Sequence, residues 1–345
     1  MTFTQSAARL PSPPSRLTRL LDLARRVPFG PMVSATTWAV IVGTGLVVAS
    51  VVAGVAWRPG LIAMQALLPL LGAAVLVAAS VAVARRRPIA GSVGCLVAAG
   101  AAALVLPVAT AASKPPWVEE ADRLTIYSAN LRRSNGRVAE ALEMARRSDA
   151  DVVVLIEFVE EFDKPLEASG LLDVYPTVVR DRREDGNVLL TRLPSSDTEV
   201  VRHAGFELPA ARVDVGGRAV FVAGVHTQAP HSRAYVDRWQ EHLGGVARAV
   251  DGHANVVAIG DFNGSLWNPP MRELAAWGFT DAHDATGSGL ARTWGASLPG
   301  HEPVVSLIGI DHAMSRGPDI VPISIRDARV PGSDHRSIEV TYAVR

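Results

Sequence analysis

Cysteine occurs once in the 345 residues, at Cys95, so neither an intrachain disulfide framework nor a Cys₂ or Cys₄ zinc site can form. Lysine is almost absent, with arginine supplying nearly all the basic residues. Charge is missing from the totals too, because 34 basic and 34 acidic residues cancel to zero. With 48% hydrophobic residues, a disordered polyelectrolyte is excluded, since disorder needs low hydrophobicity and high net charge. There is no internal repeat, and no low-complexity tract outside the apolar N-terminal third. Acids are scarce in that third. Up to Ser113 the chain carries nine arginines against one acid, Asp22, a net charge of +8; the remainder carries 25 basic and 33 acidic residues, a net charge of −8. The zero is the sum of two unlike parts.

The mean hydropathy of +0.20 is likewise an average. Residues 34–57, 61–84 and 89–112 hold no charged side chain. Each exceeds the ~20 residues a helix needs to cross a ~30 Å hydrocarbon core, and none has the polar face of a soluble bundle helix. Three transmembrane helices are expected, separated by turns at Arg58-Pro59-Gly60 and Arg85-Arg86-Arg87-Pro88. Pro69 and Pro107 are tolerable within spans, where neighbouring helices satisfy the freed backbone. Five arginines precede the first stretch and three follow the second. The positive-inside rule therefore places residues 1–33 in the cytoplasm and everything after the third span outside the cell, in a multi-pass membrane protein. Residues 113–122 read as a short stiff linker, with Trp117 suited to the lipid–water interface.

From residue 123 to 345 the pattern is one of short β-type runs, polar turns and a few helices. Strands are expected at 124–129, 152–156, 174–179, 187–191, 199–203, 211–215, 219–225, 255–259, 310–314, 320–326 and 337–342. Helices are expected at 138–147, 232–250 and 270–277. In the long helix Tyr235, Trp239, Leu243, Val246 and Val250 form one apolar face, which is core packing. Gly216-Gly217 between two runs is a hairpin signal. The class is α/β, packed sheets flanked by helices.

Polar residues recur where apolar runs end: Asn130, Glu157, His226, Gly260-Asp261-Phe262-Asn263, Asp311-His312 and Ser333-Asp334-His335. One such residue is ordinarily a turn; six sites of this kind form a pattern. Carboxylates and amide oxygens without thiols suit a hard cation, Mg²⁺ or Mn²⁺. An Asp–His pair supplies an oriented proton-handling group. Together these are what in-line attack of water on phosphorus needs. His231, His242, His253, His283 and His301 lack partners at ligand spacing and read as surface or supporting residues.

The ordered series from Asn130 to His335 resembles the endonuclease/exonuclease/phosphatase superfamily over almost the whole of residues 124–342. The resemblance implies a four-layer α/β sandwich of the DNase I-like type and divalent-metal-dependent phosphoester hydrolysis. By this likeness Asn130, Glu157 and Asp334 hold the metal, Asp261 positions the attacking water, and Asn263 orients it. Asp311 pairs with His335, which serves the phosphate, and His226 acts on the opposite side. The acid orienting His226 would be Glu184 or Asp185, and His312 would support the site from behind.

Three spans followed by an outward domain also resemble the actinomycete teicoplanin-resistance (VanJ-like) membrane phosphatases. That likeness implies a lipid-linked phosphate or pyrophosphate in the outer leaflet, such as polyprenyl pyrophosphate. The −8 charge leans away from extended nucleic acid, whose binding is dominated by phosphate neutralisation. Two alternatives stand beside this one: an extracellular nuclease or phosphodiesterase, sphingomyelinase-like activity included, and a silent binding domain.

Overall fold

The apolar third forms four helices in a computed structural model that describes residues 29–181, 183, 186–203, 205–296 and 305–345. Helices α1 (Phe29–Val52) and α4 (Pro88–Val105) are each long and apolar enough to cross a membrane. The second stretch departs from the expected single span. It divides into α2 (Pro59–Ala66) and α3 (Leu68–Ala84), bent by 71°. Pro69, in the first turn of α3, has no N–H to carry the ladder across the break. Gln65, fully buried, donates from Nε2 to Ser50 Oγ (3.0 Å) and Val55 O (2.7 Å). Two helices are thus long and apolar enough to cross as continuous spans, and the count reaches three only if the bent pair crosses as one. The third stretch stops at Val105, where Pro107 opens a 3₁₀ turn.

The helices dock on the C-terminal domain through specific contacts. Asn268 Nδ2 donates to Ile62 O (3.0 Å) and Gln65 Oε1 (3.2 Å), and Trp267 Nε1 donates to Leu104 O (3.3 Å). The Trp267 ring packs among Val47, Val51, Leu68, Ala101 and Val105. At the opposite end of the helices, Arg87 donates to Ser34 Oγ, so the triple-arginine turn lies away from the domain. The linker is fastened rather than free: Lys114 Nζ donates to Ile323 O (2.9 Å), and Arg345 lies 4.8 Å over the Trp117 ring.

The domain runs β1 (Asp122–Asn130), α5 (Val138–Arg147), β2 (Val152–Phe158), α6 (Asp163–Ala168), α7 (Leu171–Val174), β3 (Thr177–Arg180), β4 (Gly186–Thr191), β5 (Ser195–His203), β6 (Phe206–Val215), β7 (Arg218–His226), α8 (Arg233–Ala249), β8 (Val256–Asp261), α9 (Pro269–Ala276), β9 (Thr280–Asp281), α10 (Ala282–Ala285), β10 (Asp311–Arg316), β11 (Ile320–Arg329) and β12 (Arg336–Val344). It forms two six-stranded sheets, ordered β11-β12-β1-β2-β4-β3 and β5-β6-β7-β8-β10-β9. Between them pack Leu124, Ile126, Val154 and Ile156 from one sheet and Val213, Val222, Val257 and Ile259 from the other. Alternation sends the intervening residues outward, Tyr127, Val153 and Leu155 beneath α5 and Phe221, Val256 and Ala258 beneath α8. This is the two-sheet α/β sandwich expected. In α8 the buried stripe runs through Val236 rather than Tyr235. Residues 174–179 begin in the turn of α7, where Tyr175 N donates to Leu171 O (2.9 Å), and the strand starts only at Thr177. Gly216 and Gly217, at φ +58° and +83°, make the left-handed β6–β7 turn.

Asn268→Ala removes two buried donations to α2 and is expected to cost about 1–3 kcal/mol. The reading is a lower thermal midpoint of the full chain in detergent; an unchanged midpoint would show that these bonds do not fasten the helices.

Candidate active site

Parity and register bring the candidate residues together. In each sheet a parallel β-α-β unit (β1-α5-β2 and β7-α8-β8) ends its strands on the same edge. Asn130 and Asp261 share parity with the apolar residues between the sheets, so their side chains enter the mouth of that layer. Register sets His226 beside Asp261 across β7–β8, and Asp311 beside Asp261 across β8–β10. Gly260 permits this spacing, because a Cβ there would collide with the Val225 carbonyl oxygen. Glu157 has the wrong parity for the site. A register shift in the β2–β4 pairing between Leu155 and Phe158, with Glu157 at φ +54°, turns its carboxylate inward. Left-handed backbone at a non-glycine residue is a cost that cooperative surroundings must hold in place. Asn263 is likewise left-handed, at φ +48°.

At the centre is a buried acid–base cluster. His335 Nδ1 donates to Asp311 Oδ1 (3.1 Å) and Oδ2 (3.0 Å), while Nε2 lies 3.7 Å from Asp261 Oδ2. Asp261 Oδ1 accepts from Asn263 N (2.8 Å) and Oδ2 from Asn130 Nδ2 (3.0 Å). Asn130 Nδ2 also donates to Glu157 Oε1 (3.1 Å), and its Oδ1 accepts from Arg132 N (2.9 Å). Asn130 therefore turns its donor, not its oxygen, toward the acids. Glu157 Oε2 accepts from Arg133 N (3.1 Å), and its Oε1 lies 4.0 Å from His226 Nε2. Asp334 accepts from Trp294 Nε1 (3.3 Å). Ser333 Oγ donates to Asn130 O (2.7 Å) and accepts from His335 N (3.1 Å), which ties the last motif to the first.

Charges in this cluster are displaced from their ordinary ranges. Burial opposes a cation at His335, but Asp311 and Asp261 outweigh it and raise its pKa to about 10. Burial, aided by Asp311 and opposed by His335 and His226, pushes Asp261 up to about 6. Burial also works against the Glu157 carboxylate, yet His226, the Arg133 N–H and Asn130 hold its pKa below the usual value. Glu157 is thus an anion at the cavity wall, joined there by the oxygens of Asp261, Asn263 and Asp334. This thiol-free set of hard oxygen donors fits a divalent cation, which Glu157 and Asp334 would hold while Asn130 steadies Glu157.

All eight expected residues meet at this site. Glu184, Asp185 and His301 lie outside the described residues. His312 sits behind the site, its Nε2 donating to Gly264 O (2.8 Å). Other contributors carry no sequence signal. Thr293, in an irregular segment, accepts from the backbone N–H groups of Ile310 and Asp311 (both 3.0 Å) and fixes Asp311. His242 is buried and accepts from Gln228 N (3.2 Å); burial first, then Arg183, Arg238 and His226, lower its pKa to about 4. It faces the cavity as a neutral ring. That cavity, about 760 Å³, has the acid–base cluster at its base and Pro59, Ile62, Ala63 and Ala66 of α2 along one wall.

The protonated His335 ring is held more tightly in the folded chain than in the unfolded one. Its contribution to stability is complete below pH 6.5 and is lost as pH rises through about 10. In chelator-treated protein the thermal midpoint is expected to fall between pH 7 and 10, with a smaller slope in His335→Gln. Equal slopes would contradict the pairing.

Similar architectures occur among solved structures. Danio rerio TDP2 complexed with a single-strand DNA product is 16% identical; the match covers 64% of this chain and 99% of that one, with a TM-score of 0.54. A truncated Caenorhabditis elegans TDP2 is 17% identical over 64% of this chain and 98% of that one, with a TM-score of 0.51. At such identity the likeness concerns the fold. No curated protein matches the sequence. The sequence profile of the Endonuclease/Exonuclease/phosphatase family matches residues 126–335, more than half of the chain and nearly all of the sandwich, with Asn130 and His335 inside its bounds. The chain belongs to that family, and it is a metal-dependent phosphoester hydrolase.

Proposed function

We propose that the protein is a membrane-anchored phosphohydrolase whose catalytic domain faces outside the cell and acts on a lipid-linked phosphate or pyrophosphate. The observation that carries this reading is the shared cavity. Catalytic-cluster residues form its base, and the apolar side chains of α2, continuous with the membrane helices, form a wall. A phosphate head bound at the base would leave its first apolar segment against Ile62, Ala63 and Ala66. The triple-arginine turn lies at the far end of the helices, which under the positive-inside rule supports an outward domain.

In this reading Asp261 takes a proton from the attacking water, a role suited to its raised pKa. Asn263 orients that water, its own Nδ2 anchored to Thr227 O (2.9 Å). His335, kept cationic by Asp311, stabilises the charge that builds on the phosphate oxygens. His226, beside Asp261 on the neighbouring strand and 4.0 Å from Glu157, would protonate the leaving oxygen as the P–O bond breaks. A divalent cation held by Glu157 and Asp334, Mg²⁺ or Mn²⁺ by its oxygen donors, supplies further charge neutralisation when bound.

A second reading, hydrolysis of a nucleic acid or other soluble phosphodiester, is favoured by the fold shared with the TDP2 structure that holds a DNA product. A substrate panel of polyprenyl pyrophosphate, plasmid DNA and phospholipid separates the two. Wild type with Mg²⁺ or Mn²⁺ is expected to release phosphate from the polyprenyl substrate. Asp261→Ala is expected to lower turnover by about two orders of magnitude or more. Cleavage of DNA alone would establish the second reading, and activity insensitive to EDTA would overturn the metal assignment.

A further inference from the structure

A second cluster, on the far side of Asp311 from the cavity, has no part in the chemistry above. Asp281 of β9, His283 of α10 and His312 of β10 are all buried, and one oxygen or nitrogen of each lies within 4.8 Å of the others. His312 Nδ1 is 2.9 Å from Asp281 Oδ2, and His283 Nδ1 is 3.9 Å from Asp281 Oδ1, beyond hydrogen-bond distance. We propose that these three side chains form a structural Zn²⁺ site.

The outer partners of each residue carry the argument. His312 Nε2 faces Gly264 O at 2.8 Å, and a carbonyl only accepts, so the ring proton sits on Nε2. His283 Nε2 faces Asp327 Oδ1 at 2.9 Å, which draws its proton outward in the same way. His312 Nδ1 shares a proton with Asp281 Oδ2 at 2.9 Å, and loss of that proton leaves both rings with Nδ1 lone pairs turned toward the carboxylate. Asp281 itself accepts from Asp284 N at 3.0 Å. Two ring nitrogens and a carboxylate converging in a buried space make three sides of a cation site, the metal taking the place of that shared proton. Imidazoles that donate outward to a carbonyl and a carboxylate, with a ligating carboxylate that is also hydrogen-bonded, are the supporting shell of a metal centre. Zn–N and Zn–O bonds of ~2.0–2.1 Å set tetrahedral ligand atoms about 3.3 Å apart, and the two distances here bracket that value. A cation here would tie β9, α10 and β10 together and, through His283 and Asp327, tie one sheet to the other.

The test uses the full chain in detergent, stripped with chelator and returned to Zn²⁺ alone. Glu157→Gln, which disables the cavity site, is expected to retain one Zn²⁺ per chain, and His283→Gln to lose it. Asp327→Asn keeps all three ligands and is expected to weaken Zn²⁺ binding 10–100-fold. Co²⁺ in place of Zn²⁺ should give the intense visible absorption of a four-coordinate site in wild type and Glu157→Gln. Should His283→Gln fail to fold, the wild-type titration and Asp327→Asn decide. Absence of stoichiometric Zn²⁺ in wild type, or equal affinity in wild type and Asp327→Asn, overturns the proposal, because protons alone would then fill the cluster.

Discussion

The site depends on one buried cation held between two carboxylates. His335 is fixed by a two-pronged bond to Asp311 and stands within 4 Å of Asp261. Removing charges from water is costly unless they are paired and hydrogen-bonded, and the surrounding structure reads as the means of meeting that condition. Thr293 fixes the backbone at Asp311, Ser333 fixes the backbone at His335, and Asn130 with the Asn263 N–H binds Asp261. Each comes from a different element, so the cluster forms only when both sheets and their connecting segments are in register. The same constraint explains the bulge at Glu157: a flat strand end would leave that carboxylate under α5, away from the other acids.

The N-terminal apolar helices are part of this arrangement and more than a tether. Asn268 and Trp267 join them to the segment that follows Asn263, so the wall formed by α2 is positioned by the same stretch of chain that shapes the cavity floor. The bend at Gln65 and Pro69 is what makes α2 available. Had residues 61–84 formed one straight span, Ile62 and Ala63 would lie in the helix bundle and the cavity would open directly to solvent. In the function proposed above, the apolar wall beside the acid–base floor would receive the hydrocarbon tail of a substrate whose phosphate head lies at the base.

Much of the sandwich is visible in the sequence because its signals are local. Short apolar runs mark β1, β2, β7 and β8, the helix 138–147 is found at its expected bounds, and the polar residues at strand ends are the ones that converge. What the sequence does not disclose is long-range. Continuous hydropathy over 61–84 conceals a bend set by a buried glutamine whose partners lie 10 to 203 residues away. Apart from Asp281, two residues before it, the partners that surround His283 are distant in sequence: His312 of β10 and Asp327, 44 residues on. The two-residue β9 is too short to alternate, and Thr293 and Trp294 sit in a segment without periodicity. Asn130 is recognisable as a site residue, but which end of its amide faces the acids is set by the Arg132 N–H in the folded chain.

In the function proposed above, α2 completes the site for a lipid-linked substrate. The most direct measurement compares kcat/KM for a polyprenyl pyrophosphate and for a small water-soluble phosphoester in wild type and in Ala63→Trp, a change that fills the apolar wall and leaves the acid–base cluster intact. The expected result is a loss of at least tenfold for the lipid substrate with little change for the soluble one. Equal effects on both substrates, or no effect on the lipid substrate, would contradict it.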